Sequence, residues 1–207
     1  MAGSRPLIHL TIDQLETHFT IRRVSKDGTN RLTRACVREL HEVVQALGRD
    51  LKPLIITGNR KFFSTGAELG EIQEIAGNSA VEFSRMGQDL MNVIAQFPCP
   101  VYAAIHGYCM GGGLDLALAC HVRIASKDAV FGHRGAALGL VTGWGGTQRL
   151  PRLVGKARAL EMLMAAEKLH AKAALALGLI GAIAEYPVAE AARRISESRQ
   201  SSSPALR

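Results

Sequence analysis

Aromatic residues and long apolar runs are scarce in this chain of 207 residues. Phe, Trp and Tyr together make up 5% of it, with a single Trp, which leaves few platforms for the base stacking typical of single-stranded nucleic-acid binders. No apolar stretch approaches the roughly 20 residues that a transmembrane helix needs. Asp13 and Glu16 stand where a secretory signal peptide would be hydrophobic. The sequence therefore predicts a cytoplasmic chain that does not span a membrane.

Cysteine motifs are absent as well. Cys36, Cys99, Cys109 and Cys120 form no CxxC pair and have no histidine at zinc-finger spacing. We expect reduced, mostly buried thiols, with neither a metal site nor a disulfide framework.

Positive charge is unevenly distributed. The net charge is +7, and residues 147–207 contain ten Lys or Arg against five Asp or Glu. Such an excess attracts anions, and charge alone does not distinguish a phosphorylated cofactor from a nucleic acid. A solvated basic surface is the third interpretation.

The apolar pattern alternates between strands and helices. Residues 18–24 alternate as a strand does, Val37 to Leu47 follow helical spacing up to Gly48, and residues 52–58 form a short apolar run. Similar units follow along the chain, which predicts an α/β domain with largely parallel sheets. The further predictions are helices near 83–97, 114–120, 156–168 and 172–177, strands within 99–107, 121–126, 129–132 and 178–186, and a frayed or disordered tail at 196–207.

Two strand-to-helix loops have the same composition. Both "STGAELGEI" (64–72) and "GYCMGGGLDLA" (107–117) place glycines and small residues directly before a predicted helix. Backbone N–H groups at a helix start have no intrahelical acceptor. Adjacent loops of this kind can each direct one N–H at a single oxygen, as an oxyanion hole requires. A tight turn with close helix packing is the alternative for either glycine run taken alone.

The two common phosphate-binding motifs do not fit the second loop. The Walker pattern GxxxxGK[ST] fails because Gly112 is followed by Gly113 and Leu114. The pattern GxGxxG fails because Asp115 and Leu116 follow Gly113. The sequence therefore argues against nucleotide binding by either motif.

The sequence resembles the crotonase, or enoyl-CoA hydratase/isomerase, superfamily over residues of about 30 to 185. The resemblance implies an α/β crotonase (ClpP-like) spiral of ββα turns, an acyl-CoA substrate, no separate cofactor, and a homotrimer or hexamer. The segments that carry it are "KFFSTGAELGEI", "PVYAAIHGYCMGGGLDLALACHVRIAS", "AVFGHRGAALGL", "GGTQRLPRLVGKARALEMLM" and "LHAKAALALGLI".

The resemblance also implies roles for individual residues. The N–H groups of Ala67 and Gly112 are expected to hold a thioester carbonyl as it becomes an enolate. Asp115 falls where hydratases of the family have a catalytic glutamate, although it can also simply cap its helix. The expected substrate-binding residues are Ser64, Gly66, Glu68, Leu69 and Gly111, with Glu68 also ordering its loop.

One departure from the family pattern affects the expected reaction. Gly135 occupies the position of the second hydratase glutamate, so we expect isomerisation, decarboxylation or weak hydration rather than standard two-glutamate hydration. His133 and Arg134 are the remaining accessory candidates: a histidine titrating near neutrality can act as a base, and an arginine can hold a carboxylate.

The chain also shows less sequence than a usual member after the matched segments. We predict a crotonase-fold core over 1–187 and a short polar segment over 188–207 in place of the usual C-terminal helices. Two other functions stay open: a non-catalytic scaffold of this fold, and an RNA-binding member of the family acting through its basic C-terminal region.

Overall fold

The computed structural model describes residues 6–201, which form two parallel-rich sheets surrounded by helices. In chain order the elements are β1 (Leu10–Gln14), β2 (Phe19–Arg23), α1 (Arg34–Leu47), β3 (Leu54–Thr57), β4 (Phe62–Ser64), α2 (Leu69–Gln73), α3 (Asn78–Ala95), β5 (Val101–Ile105), β6 (Tyr108–Met110), α4 (Gly112–Ala119), β7 (Val122–Ala125), β8 (Val130–Gly132), α5 (Gly146–Val154), α6 (Lys156–Met164), β9 (Leu169–His170), α7 (Ala171–Ala176), β10 (Ala182–Ile183) and α8 (Pro187–Ser201).

The strands divide between the sheets in a regular way. The larger sheet has the order β1-β2-β3-β5-β7-β10 and the smaller one β4-β6-β8-β9. Among the named strands of residues 6–201, β1 with β2 and β8 with β9 pair antiparallel, and the other pairs are parallel. Each of the pairs β3/β4, β5/β6 and β7/β8 places its first strand in the larger sheet and its second in the smaller. Helices follow each pair, so the chain winds as a spiral of ββα turns, and the predicted α/β domain with largely parallel sheets is confirmed.

Most predicted elements occur where the hydrophobic pattern places them. The helix with apolar residues from Val37 to Leu47 begins after Thr33, whose side chain accepts from the Cys36 N–H, and ends at Gly48. The strands predicted around residues 19–23, 54–57 and 101–105 are present.

The pattern missed several elements. Strands β1, β4, β6 and β9 and helix α5 were not predicted. β4 and β6 have three residues each, which is too short for a period to show, and α5 contains Pro151, which suggests a break in a sequence. The strand predicted within 178–186 contains only two paired residues. Within residues 6–201 no helix combines the length and apolar character needed to cross a membrane.

The prediction of a frayed tail at 196–207 is wrong for residues 196–201. These residues complete α8, which packs on the larger sheet through Ala191 and Ile195. The sequence of this helix is mostly polar, so no apolar period predicts it. Two apolar residues one turn apart are nevertheless enough to dock it on the sheet. Residues 202–207 lie outside the described part of the chain, and the core boundary at 187 stays a prediction.

Docking of α8 predicts a stability difference between a buried and an exposed residue of this helix. Ile195 is buried against Ile55 and Ile124, so Ile195→Ala should lower the free energy of unfolding by about 2 to 3 kcal/mol. Arg199, one turn further and exposed, provides the matched control, and Arg199→Ala should change it by about 0.5 kcal/mol or less. Urea denaturation measures both. Equal effects would contradict a docked α8.

Candidate active site

The two glycine-containing loops lie against each other, as the sequence predicted they could. Gly66 follows β4 with φ +97°, and Gly111 follows β6 with φ +50°. A Cβ added at Gly66 would lie 2.8 Å from the Met110 carbonyl oxygen and 3.1 Å from the Gly112 nitrogen. Glycine is therefore required at Gly66 both for its backbone angle and for the approach of the second loop.

The N–H groups of Ala67 and Gly112 border one cavity side by side. A Cβ built on Gly112 would lie 3.4 Å from the Ala67 nitrogen, and both residues line the cavity. Gly112 is the first residue of α4, so its N–H has no acceptor within the helix. Nothing in the described part of the chain accepts a hydrogen bond from the Ala67 N–H. Two unused donors thus lie where they can meet one oxygen.

A buried arginine braces the first loop. The Arg23 guanidinium, 1% exposed, donates to the Phe63 carbonyl (3.1 Å), to the Ser64 hydroxyl (3.2 Å) and to the Asn30 carbonyl. The Ser64 hydroxyl in turn accepts from the Gly66 N–H at 3.0 Å. These contacts fix the conformation of the turn that contains Gly66.

Ser64 and Glu68 were expected to contact the substrate. The structure corrects this expectation, because neither residue lines the cavity. Ser64 is fully buried and uses its hydroxyl within the protein. Glu68 lies outside the cavity wall, where its carboxylate caps α2 through the Gly70 N–H and contacts Arg31 at 3.2 Å. Both side chains therefore shape the loop. The other three expected contacts, Gly66, Leu69 and Gly111, do line the cavity.

Asp115 is an almost fully buried carboxylate in an apolar helix. Seven of the eight residues of α4 are buried, and Asp115 is 1% exposed. It does not cap α4, because Gly111 holds that position without any side-chain bond. Its Oδ2 accepts a hydrogen bond from the Thr142 hydroxyl. Burial raises the pKa of Asp115 to about 7, and the Thr142 hydrogen bond and the Arg149 charge act in the opposite direction.

His133 faces the other carboxylate oxygen. Its Nε2 lies 3.4 Å from Asp115 Oδ1. No side chain among residues 6–201 gives a hydrogen bond to that oxygen or to either ring nitrogen of His133, and the Gly146 backbone N–H helps to lower the pKa of Asp115. Burial lowers the pKa of His133 to about 4, so the expectation of a histidine titrating near neutrality is wrong. At neutral pH we describe the pair as a neutral imidazole beside a carboxyl group, rather than as an ion pair.

Gly146 permits this arrangement. A Cβ added there would lie 2.3 Å from Asp115 Oδ1, 2.8 Å from His133 Nε2 and 2.8 Å from the Thr142 methyl carbon. Gly146 is the first residue of α5, so the start of this helix closes over the polar cluster. Any larger residue would push the three side chains apart.

Gly135 and Arg134 also border the cavity. Gly135 lies in a short 3₁₀ turn, where its carbonyl accepts from the Leu140 N–H at 2.8 Å. A Cβ added at Gly135 would lie 2.9 Å from the Leu140 carbonyl oxygen. The backbone therefore has no room for a glutamate here unless Leu140 shifts. Arg134 is exposed at the cavity edge.

The cavity is about 540 Å³ in volume and largely apolar. Its wall includes Trp144, whose indole N–H donates to the Phe83 carbonyl at 3.2 Å. A Cβ at Gly87 would lie 2.2 Å from this ring, and one at Gly112 would lie 2.6 Å from it. Trp144 therefore packs directly behind the Gly112 N–H. Leu138, Val141, Leu160 and Met164 line the same cavity and are more than half exposed.

Thr142, Gly146 and Arg23 were missed by the sequence reasoning. The two glycines that end the run "GWGG" at 143–146 permit a close approach of the backbone, but nothing in the sequence identifies Asp115 as the neighbour. Thr142 lies 27 residues from Asp115 in sequence, and only the folded chain brings them together. Within residues 6–201 there is no group of three His, Cys, Asp or Glu side chains that could hold a metal ion.

Comparisons with a family model and with known proteins indicate the same family for this chain. The family model for enoyl-CoA hydratase/isomerase matches residues 19–206. A protein of Bacillus subtilis (strain 168) named probable enoyl-CoA hydratase is 41% identical over 202 residues, which are 95% of this chain and 77% of that protein. The crotonyl-CoA hydratase of Syntrophomonas wolfei is 38% identical over 159 residues, covering 75% of this chain and 61% of that protein.

Solved structures agree with the sequence relatives. DspI of Pseudomonas aeruginosa superposes with a TM-score of 0.89 at 32% identity, covering 95% of this chain and 77% of that one. An enoyl-CoA hydratase of Bacillus anthracis superposes with a TM-score of 0.86 at 32% identity, covering 95% and 78%. The chain belongs to the enoyl-CoA hydratase/isomerase family, within the crotonase superfamily.

Proposed function

We propose that this chain binds an acyl-CoA thioester in the 540 Å³ cavity and stabilises its enolate. The observation that carries the proposal is the pair of unused N–H groups at Ala67 and Gly112, which border the cavity together with the buried carboxyl group of Asp115. Coenzyme A is part of the substrate here, and no further cofactor is proposed.

The two N–H groups would act on the thioester oxygen. Negative charge grows on this oxygen as the enolate forms, and donors held in advance by the fold stabilise it without reorganising. The start of α4 adds the favourable end of a helix dipole at Gly112. The apolar wall, including Trp144, lowers the local dielectric and strengthens both hydrogen bonds.

Asp115 would move the protons. A group whose pKa is about 7 populates both its acid and its base form at neutral pH, as general acid–base catalysis requires. The Thr142 hydrogen bond holds the carboxyl group in one orientation. The pKa of His133, about 4, leaves that ring neutral, so it does not compete as the proton donor at neutral pH.

Hydration of a 2-enoyl thioester is the reaction we infer first. Both sequence relatives carry hydratase names, which speaks against our expectation from Gly135 that hydration would be weak. Isomerisation and decarboxylation pass through the same enolate and are the next reactions to assay. A non-catalytic scaffold predicts, in contrast, no acyl-CoA binding by calorimetry at millimolar concentrations.

RNA binding is less well supported. Arg158, Arg193 and Arg194 of the basic C-terminal region each lie 3.0 Å or less from a glutamate oxygen. Paired side chains have less free charge to offer a phosphate backbone.

A homotrimeric or hexameric assembly and a cytoplasmic location follow from the family resemblance and the sequence, and both stay proposals.

Removal of one N–H donor tests the role of the loop that contains Ala67. Ala67→Pro deletes the N–H and should reduce kcat/KM for crotonyl-CoA hydration about 10²-fold or more. The loop remains anchored because the Leu32 N–H donates to the Gly66 carbonyl at 2.8 Å. Ala67→Gly keeps the donor and should stay within about tenfold of the parent. Circular dichroism and thermal melting check that both variants are folded; equal rates in the two would contradict the role of this N–H.

Removal of the acid–base group tests the role of Asp115. Asp115→Asn should reduce turnover about 10²-fold or more. In the parent, a base must be deprotonated to act, so the rate should rise as the pH passes through about 7, the pKa of Asp115. The variant should lack this rise. Asp128→Asn changes an exposed aspartate and should leave rate and pH profile unchanged. An unchanged rate in Asp115→Asn would remove this residue from the mechanism.

A further inference from the structure

Asp115 has very little surface of its own in the cavity. Its side chain is 2% exposed, and its Oδ1 is buried, facing His133 without a hydrogen bond. The other oxygen, Oδ2, is occupied by the Thr142 hydroxyl. The carboxyl group that the proposed function requires therefore borders the cavity but offers a substrate very little free surface.

Thr142 lies beside Asp115 in the wall of the cavity. It is half-buried and lines the same cavity as Ala67 and Gly112. Its hydroxyl donates to Asp115, and a hydroxyl oxygen retains lone pairs that can accept a second hydrogen bond. One hydroxyl group thus contacts the buried acid and belongs to a residue that lines the cavity.

We propose that Thr142 is a further catalytic residue, whose hydroxyl relays protons between the reacting atoms and Asp115; this inference rests on the proposed function. His133 and the start of α5 at Gly146 position the carboxyl group. This arrangement offers one proton-transfer route for both halves of a hydration, which a chain with glycine at position 135 needs.

The relay conserves atoms and charge. In the first half, one O–H bond of a water molecule breaks. The water oxygen bonds to Cβ of the substrate, and the released proton passes to the Thr142 oxygen. The original Thr142 proton passes at the same time to Oδ2 of the Asp115 carboxylate. The π electrons of the enoyl group move onto the thioester oxygen at the Ala67 and Gly112 N–H groups.

The second half returns the proton. The enolate electrons form a C–H bond at Cα with the proton of the Thr142 hydroxyl, and the threonine oxygen takes the proton back from Asp115. The net reaction adds one water across the double bond and regenerates the carboxylate and the hydroxyl. No oxidant, reductant or metal ion takes part.

The charges around Asp115 are few. His133 at the end of β8, Arg149 of α5 and Cys109 of β6 are the titratable or charged groups that act on it. The imidazole is neutral at neutral pH, and burial raises the pKa of the Cys109 thiol well above its usual value. Arg149 is then the only charge among these three neighbours, so the pH dependence near neutrality reports on Asp115.

Thr142→Val and Thr142→Ser separate a relay from a merely orienting hydrogen bond. Valine matches the shape of threonine without the hydroxyl, and serine restores it. The hydrogen bond lowers the pKa of Asp115, so Thr142→Val should move the rise in rate to higher pH. With the relay cut, the maximal kcat on crotonyl-CoA at high pH should also fall about 10²-fold, while calorimetric affinity for butyryl-CoA changes less than about threefold. Thr142→Ser should restore the maximal kcat to within about tenfold.

Three outcomes decide the question. A low maximal kcat in Thr142→Val, recovered in Thr142→Ser, supports the relay. If the rise moves to higher pH but the maximal kcat is unchanged, Thr142 only orients Asp115 and the relay is overturned while the proposed function stands. If the parent neither binds butyryl-CoA nor turns over crotonyl-CoA, the proposed function fails and the relay fails with it.

Discussion

The close approach of two backbone loops is the constraint on which the candidate site depends. Gly66 lets the turn after β4 come within contact of Met110 and Gly112, and a side chain at this point would collide with backbone atoms on the other loop. Because the two loops end adjacent parallel strands of the smaller sheet, the ββα spiral brings them to the same edge. The pairing of Ala67 and Gly112 is therefore a property of the fold, and the buried Arg23 behind the first loop helps to fix it.

A second constraint follows from the burial of α4. Because this helix is surrounded by the core, its one carboxyl group cannot be solvated, and the fold provides a hydroxyl group, a neutral imidazole and a glycine around it. Desolvation then raises the pKa of Asp115 toward neutrality, where a protonatable group is most useful. The same burial that would be a cost in a structural helix makes this carboxyl group suitable for acid–base chemistry.

Much of the fold and part of the site could be predicted from the sequence. The long periodic segments predicted α1, α3 and the buried strands. The composition of the two glycine-containing loops indicated that they could direct N–H groups at one oxygen, and the family resemblance identified Ala67 and Gly112, whose role stays a proposal. The polar network could not be predicted because Thr142 meets Asp115 only through the return of the chain from β8 to α5. The resemblance led us to expect a substrate contact from Ser64, whereas the buried Arg23 and the Gly66 N–H already use its hydroxyl. The docking of α8 was missed because its polar residues outnumber its two buried contacts.

The central claim is that one thioester oxygen meets both N–H groups. A crystal structure of the protein with butyryl-CoA, a saturated thioester that cannot be hydrated, tests it most directly. The account predicts a thioester oxygen about 3 Å from the backbone nitrogens of both Ala67 and Gly112, with the acyl chain along the wall that contains Trp144. An acyl-CoA bound with its thioester oxygen away from these two nitrogens would contradict the account.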